Sequence, residues 1–184
     1  MVETFDVSIT PYGLTRRTFV YLPDDWQTSG KKYPVLYMFD GHNLFFDSTA
    51  TYGTCWGLKE YCDAHPNWII AAPECNHEGN KRLEEYCPYQ SDWFGGITGT
   101  GHEYMEWLTK EFKPMMDKRY PTLPGRANTA IGGSSMGGLM SLPSPLTTKC
   151  FPKQRACRPR CGCACRSCGR RLPTPRSTLA PVFI

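Results

Sequence analysis

No aspartate, glutamate or histidine follows Ser135 in this 184-residue sequence, and residues 149–184 contain no acidic residue at all. The longest apolar runs are strand-length, well short of the roughly 18 residues that a helical membrane span requires, so no membrane partner is expected. The N-terminal MVETFDVSIT carries an early Glu and Asp and lacks the apolar stretch of a secretory leader. With ten cysteines and no such leader, reduced thiols and a cytoplasmic setting are expected. No G-x-x-x-x-G-K-[ST] is present, which removes the phosphate-cradling P-loop from consideration. Disorder along the whole chain is excluded too, because 40% of residues are hydrophobic and 13% aromatic.

The net charge of +4 averages two unlike parts. Residues 1–148 hold 12 Lys and Arg against 17 Asp and Glu, whereas residues 149–184 hold nine basic residues. Six of the ten cysteines also fall between 150 and 168. The chain is therefore read as a body, 1–142, and a Cys/Arg/Pro-rich tail, 143–184, that is expected to be irregular.

The body alternates strand and helix patterns. Continuous apolar runs at 19–22, 34–39, 68–72 and 128–131 suit strands buried on both faces, as in parallel sheets. Trp56, Leu58, Tyr61 and Cys62 give a weak helical stripe. Tyr104, Trp107, Leu108, Phe112, Met115 and Met116 give a strong one, ended by Pro121 and Pro124. This alternation predicts an α/β fold, with a mostly parallel sheet flanked by helices. The aromatic stripe reads as a helix packed on that sheet. The long segment 74–100, with Tyr86, Tyr89, Trp93 and Phe94, reads as an ordered loop near a substrate. Cys55, Cys62, Cys75 and Cys87 read as ordinary small residues rather than disulfide partners.

Three readings of the tail compete. Cys161, Cys163, Cys165 and Cys168 could offer four thiolates to a metal, but paired C-x2-C knuckles and a tail histidine are lacking. The arginines could bind nucleic acid. The third reading is a shifted reading frame. If each codon from Thr147 to Cys165 is re-read from its third base, codon degeneracy permits YKVFSKAACVSPSLWVC, a string of ordinary α/β composition. It accounts for the abrupt rise in Arg and Cys, and it is the reading preferred here. It leaves no role for nucleic acid, metal or cofactor.

The chemically informative motif is Gly133-Ser134-Ser135-Met136-Gly137. A G-x-S-x-G pattern arises by chance roughly 0.08 times in a chain of this composition, so its setting decides its weight. An apolar strand precedes it and a plausible helix start follows, which is the setting of a nucleophile elbow. A sharp turn there crowds the backbone, and glycines relieve the crowding. The alternative is a plain Gly-rich turn. In the elbow, Ser135 is the nucleophile and the amide of Met136 points at a developing oxyanion. A second donor is needed after an earlier strand, and Asp40-Gly41-His42-Asn43 is well placed.

IGGSSMGG, YMFDGHNLF, NKRLEEYCPY and the shifted-frame AACVSPSLW together resemble the esterase family that includes esterase D-type enzymes, feruloyl esterases, enterochelin esterases and mycolyltransferases. The resemblance covers residues 15–142. It implies an α/β-hydrolase fold, a nucleophile at Ser135 and an oxyanion hole from the backbone amides of Met136 and His42. It further implies a small-molecule carboxylic ester, such as an acylated sugar or feruloyl ester, and no cofactor. The side chain of His42 reads as an ordinary polar loop group.

Triad order places an acid and then a histidine after the serine, and this sequence supplies neither there. His42, His65, His77 and His102 all precede it; His77 and His102 are near enough to the long loop to approach a site. The expectation is therefore an impaired hydrolase, with the late part of the fold missing. The strand before Ser135 would be left as an open edge, prone to self-association. The alternative is an inactive hydrolase-like binding module with a zinc- or nucleic-acid-binding tail.

Overall fold

The computed structural model describes residues 1–92, 96–142 and the backbone of 153–156. Its ordered elements are β1 (Val2–Ile9), β2 (Leu14–Tyr21), β3 (Val35–Met38), α1 (Leu58–Ala64), β4 (Ile69–Pro73), α2 (Lys81–Glu85), α3 (Gly101–Trp107), α4 (Lys113–Arg119), β5 (Thr129–Gly133), α5 (Met136–Met140) and β6 (Lys153–Ala156). They build one sheet in the order β1-β2-β4-β3-β5-β6. β4, β3, β5 and β6 run parallel, while β1 and β2 form an antiparallel hairpin whose second strand pairs antiparallel with β4. No helix among the described residues is long and apolar enough to cross a membrane.

The continuous apolar runs have a simple origin. Successive strand residues face opposite sides of a sheet, and both sides here are covered. Val20, Leu22, Ile69, Ala71, Val35, Tyr37 and Ile131 face one core, with Tyr104, Trp107, Leu108, Phe112 and Met116 packed over them. Phe19, Tyr21, Ile70, Ala72 and Met38 face the other, covered by Leu44, Phe45, Leu58 and Cys62.

Three of the four expected strands correspond to β3, β4 and β5, and the run at 19–22 is the inner half of β2. β1 was not foreseen, because Glu3 and Asp6 break its apolar run. Its burial alternates toward its end, with Val7 and Ile9 buried between exposed neighbours.

The strong helical stripe needs one correction. Met115 is 37% exposed, while Tyr104, Leu108, Phe112 and Met116 are buried. Leu108–Phe112 form a π-helical turn that joins α3 to α4. Pro114 lies just beyond it, where an α-helix would clash with the carbonyl four residues back and lose a hydrogen bond. The wider turn takes up that misfit. It also keeps a column spaced every four residues on the sheet and turns Met115 outward.

A second correction concerns the edge beyond Ser135. β5 is not the last strand, since Ala130 to Gly133 pair with Lys153 to Ala156. A strand edge offers unpaired N–H and C=O groups to any extended backbone, whatever its side chains. The expectation of irregular structure does not hold for those four residues.

One buried acid sits awkwardly in the core. Glu85, at 3% exposure, meets Arg16 Nη2 at 3.6 Å. Burial nevertheless pushes its carboxyl up to about 7 against the pull of Arg16. A raised carboxyl favours folding at low pH, and that contribution is lost as pH rises from about 4.5 through 7. Buried His42, whose ring is held down to about 4 chiefly by burial, has the opposite slope over an overlapping range, so the parent curve is flattened. Glu85→Gln isolates the first component: its stability relative to the parent should rise by about 3 kcal/mol between pH 4.5 and 7 in urea titrations. A pH-independent difference would contradict the burial argument.

Candidate active site

β3 and β5 lie side by side and parallel, with Met38 opposite Gly132. Phe39 N–H donates to the Gly132 carbonyl at 3.1 Å, so pairing extends to the very ends of both strands. The loops Asp40–Asn43 and Ser134–Met136 therefore leave the same sheet edge as neighbours. In open parallel sheets this carboxyl edge is where ligands bind.

The second loop is a tight strand–turn–helix. Ser135 is exposed and holds φ 52 and ψ −120, directly before α5. Among the described residues only Asp40 and Ser135 are non-glycine residues with positive φ. Such a conformation costs on the order of 1–3 kcal/mol and persists only where the surroundings enforce it.

The surroundings here are Phe39 and two glycines. A Cβ on Gly137 would stand 2.7 Å from Phe39 Cβ, and one on Gly133 would stand 2.8 Å from the Gly137 carbonyl carbon and 3.0 Å from Phe39 Cδ2. The two glycines thus pack against each other and against Phe39. Phe39 is itself fixed edge-on by Tyr86 at 4.9 Å and packs at a tilt on Tyr104 at 5.8 Å.

The first loop is held electrostatically. Asp40 accepts two hydrogen bonds from Arg82, Nε to Oδ1 and Nη2 to Oδ2, both at 2.7 Å. Asp40 is 3% exposed and Arg82 27%. Asp40 stands at φ 58 and begins a 3-10 turn, Gly41–Asn43, in which Gly41 and His42 are buried. A Cβ on Gly41 would fall 2.0 Å from the Ala72 carbonyl oxygen, so the turn lies directly on β4. His42 Nε2 and Thr51 Oγ1 are hydrogen-bonded at 3.0 Å.

Of the other histidines, His77 packs edge-on against His42 with ring centroids 4.5 Å apart. His102 packs against Tyr89, and His65 stacks on Tyr61 at the end of α1. Two partners were missed by sequence reasoning. Arg82 lies within the quoted NKRLEEYCPY segment, but nothing in the sequence pairs it with Asp40. Cys75 is buried near Asp40, and burial foremost, then Asp40, raises its thiol. Cys55, Cys62, Cys75 and Cys87 are free. Trp93 and Phe94, and the tail cysteines 161, 163, 165 and 168, lie outside the described residues.

Comparison with known proteins places this geometry in context. A family model described as "Putative esterase" matches residues 12–149. The protein YbbA of Bacillus subtilis, itself uncharacterized, is 26% identical over 131 residues, covering 69% of this chain and 49% of that one. The crystal structure of an IroE-like serine hydrolase from Shewanella oneidensis superposes with a TM-score of 0.60 at 19% identity, covering 77% of this chain and 45% of that one. The enterobactin esterase of Shigella flexneri, solved in the presence of enterobactin, superposes at 0.59 with 14% identity, covering 82% and 35%. The chain spans about half the length of the curated relative. These likenesses establish an α/β-hydrolase-like fold.

The Asp40–Arg82 pair generates a test. Arg82→Ala leaves a buried carboxylate without its cation, which should cost about 3 kcal/mol in a urea midpoint measurement. Adding Asp40→Asn to that variant should restore part of the loss, because the orphaned charge is gone. An unchanged midpoint for Arg82→Ala would mean that the pair does not hold the loop.

Proposed function

The chain belongs to this esterase family, and we propose that it carries carboxylic-ester chemistry through Ser135. The observation that supports this reading is the backbone of Ser135: an exposed serine at φ 52, between the end of a parallel strand and a helix start. A serine kept there against its conformational preference presents its hydroxyl above the sheet edge.

In the proposed reaction, Ser135 Oγ attacks the ester carbonyl carbon. The carbonyl oxygen becomes an oxyanion that accepts hydrogen bonds from the amides of Met136 and His42. Collapse expels the alcohol and leaves an acyl-serine, which water then hydrolyses. Donors fixed in place before the reaction stabilise the developing charge without reorganising. Two features serve that end here: Phe39 locked against Gly137, and Asp40 locked by Arg82. The exposed Tyr89, paired edge-on with His102, favours an ester that carries an aromatic group, as a feruloyl ester does.

No general base for Ser135 is identified among the described residues. None of the residues after Ser135 is Asp, Glu or His, and burial leaves His42 neutral at pH 7 with Nε2 bonded to Thr51. A serine hydroxyl without a base is a poor nucleophile at neutral pH. Loss of the base costs about 10⁶ in turnover, while the oxyanion hole and binding retain roughly 10³–10⁴ over water.

The test supplies a base from outside. p-Nitrophenyl acetate should be hydrolysed slowly by the parent chain. Added imidazole should raise turnover saturably above the Ser135→Ala control, which carries the same solution background. Equal rates for parent and variant at every imidazole concentration would reject Ser135 as the nucleophile.

A further inference from the structure

A second cluster of reactive side chains lies beside the proposed oxyanion loop and takes no part in the chemistry above. β3 and β4 are parallel neighbours, with Val35 opposite Ile69, so the segments that follow them emerge at one end of the sheet. The first brings His42 and the second brings Cys75 and His77. One ligating atom from each of these three residues lies within 4.8 Å of the other two. His42 is 3% exposed and Cys75 2%, while His77 is exposed.

The bonding pattern around the cluster leaves it unfinished. His42 Nε2 is taken by Thr51, but its buried Nδ1 has no hydrogen-bond partner. A buried ring nitrogen without a partner is costly in a packed interior. The edge-on contact of His42 with His77 brings two imidazoles together, with Glu74 Oε2 at 3.7 Å from His77 Nε2. Asp40, the other nearby carboxylate, is already committed to Arg82.

We infer that His42, Cys75 and His77 form a Zn²⁺ site that ties the oxyanion loop to the segment following β4. Two imidazoles and one thiolate are a donor set suited to a borderline-soft divalent ion. Ligand atoms in a tetrahedral zinc site stand about 3.5 Å apart, given Zn–N near 2.0 Å and Zn–S near 2.3 Å. The three ligating atoms already stand within 4.8 Å of one another, and the exposed His77 side chain has room to turn toward the two buried ligands. Water or Glu74 completes the fourth position. On binding, the Cys75 S–H bond breaks, the sulfur binds zinc and the proton passes to solvent. The site is independent of Ser135, so it stands or falls separately from the esterase reading.

The test uses Co²⁺ as the spectroscopic substitute for Zn²⁺. The 184-residue chain carries serine in place of Cys150, Cys157, Cys161, Cys163, Cys165 and Cys168, so that tail thiols contribute nothing. One equivalent of Co²⁺ should produce a thiolate-to-cobalt charge-transfer band and intense visible bands of tetrahedral geometry, both abolished by one equivalent of Zn²⁺. Cys75→Ser should remove the charge-transfer band. His77→Ala, at an exposed position that leaves the fold intact, should weaken binding by at least about tenfold, since loss of even an outer-shell partner has an effect of that size. In the unaltered chain the same His77→Ala change should lower bound zinc by one equivalent against an identical tail background. Absence of a thiolate band, or a band and an affinity that survive both substitutions, would overturn the assignment.

Discussion

The parallel pairing of β3 with β5 is the constraint on which the site depends. Because Met38 lies opposite Gly132 and Phe39 N–H still reaches the Gly132 carbonyl, the two loops that follow begin within one strand spacing of each other. Phe39 then fills the space that side chains at positions 133 and 137 would need. A large ring and two bare α-carbons therefore make one packing unit. The unusual backbone of Ser135 is a consequence of that unit rather than a separate feature.

The same unit links core to site. Phe39 is held by Tyr86 and Tyr104, and Tyr104 belongs to the aromatic column that covers the sheet. Arg82 also lies over the Tyr86 ring, at 5.4 Å, while donating twice to Asp40. One short helix, α2, thus supplies both the cation that fixes the first loop and the acid Glu85, whose carboxyl burial raises to about 7. Helix α3 packs against α5, the helix that follows the second loop: a Cβ on Gly101 would meet Met140 Sδ at 2.7 Å. Packing energy spread over the core in this way can maintain a backbone strain of on the order of 1–3 kcal/mol at one serine.

The legible and illegible parts of this sequence divide along physical lines. β3, β4 and β5 announce themselves because both faces of each are buried, so their apolar runs are unbroken. β1 does not, because Glu3 and Asp6 interleave its apolar residues, and β6 does not, because Lys153-Gln154-Arg155-Ala156 holds no apolar run. The helical stripe gave the right column except for Met115, where the π-turn before Pro114 changes the phase. At the site, the strand–turn–helix around Ser135 can be read from spacing over a few residues. The Asp40–Arg82 pair joins positions 42 apart, and the approach of Cys75 and His77 to His42 depends on which strands are neighbours. Neither leaves a mark in local sequence.

The proposed chemistry requires Ser135 to be a preformed nucleophile elbow flanked by two oxyanion donors. A crystal structure of the chain soaked with an arylboronic acid addresses that claim directly. A boronic acid takes up the tetrahedral geometry of the intermediate on contact with a serine oxygen. The account predicts continuous density from Ser135 Oγ to boron, Ser135 still at positive φ, and one boronate oxygen accepting from the amides of both Met136 and His42. Ser135 at an ordinary negative φ, or a boronate oxygen that meets neither amide, would contradict it.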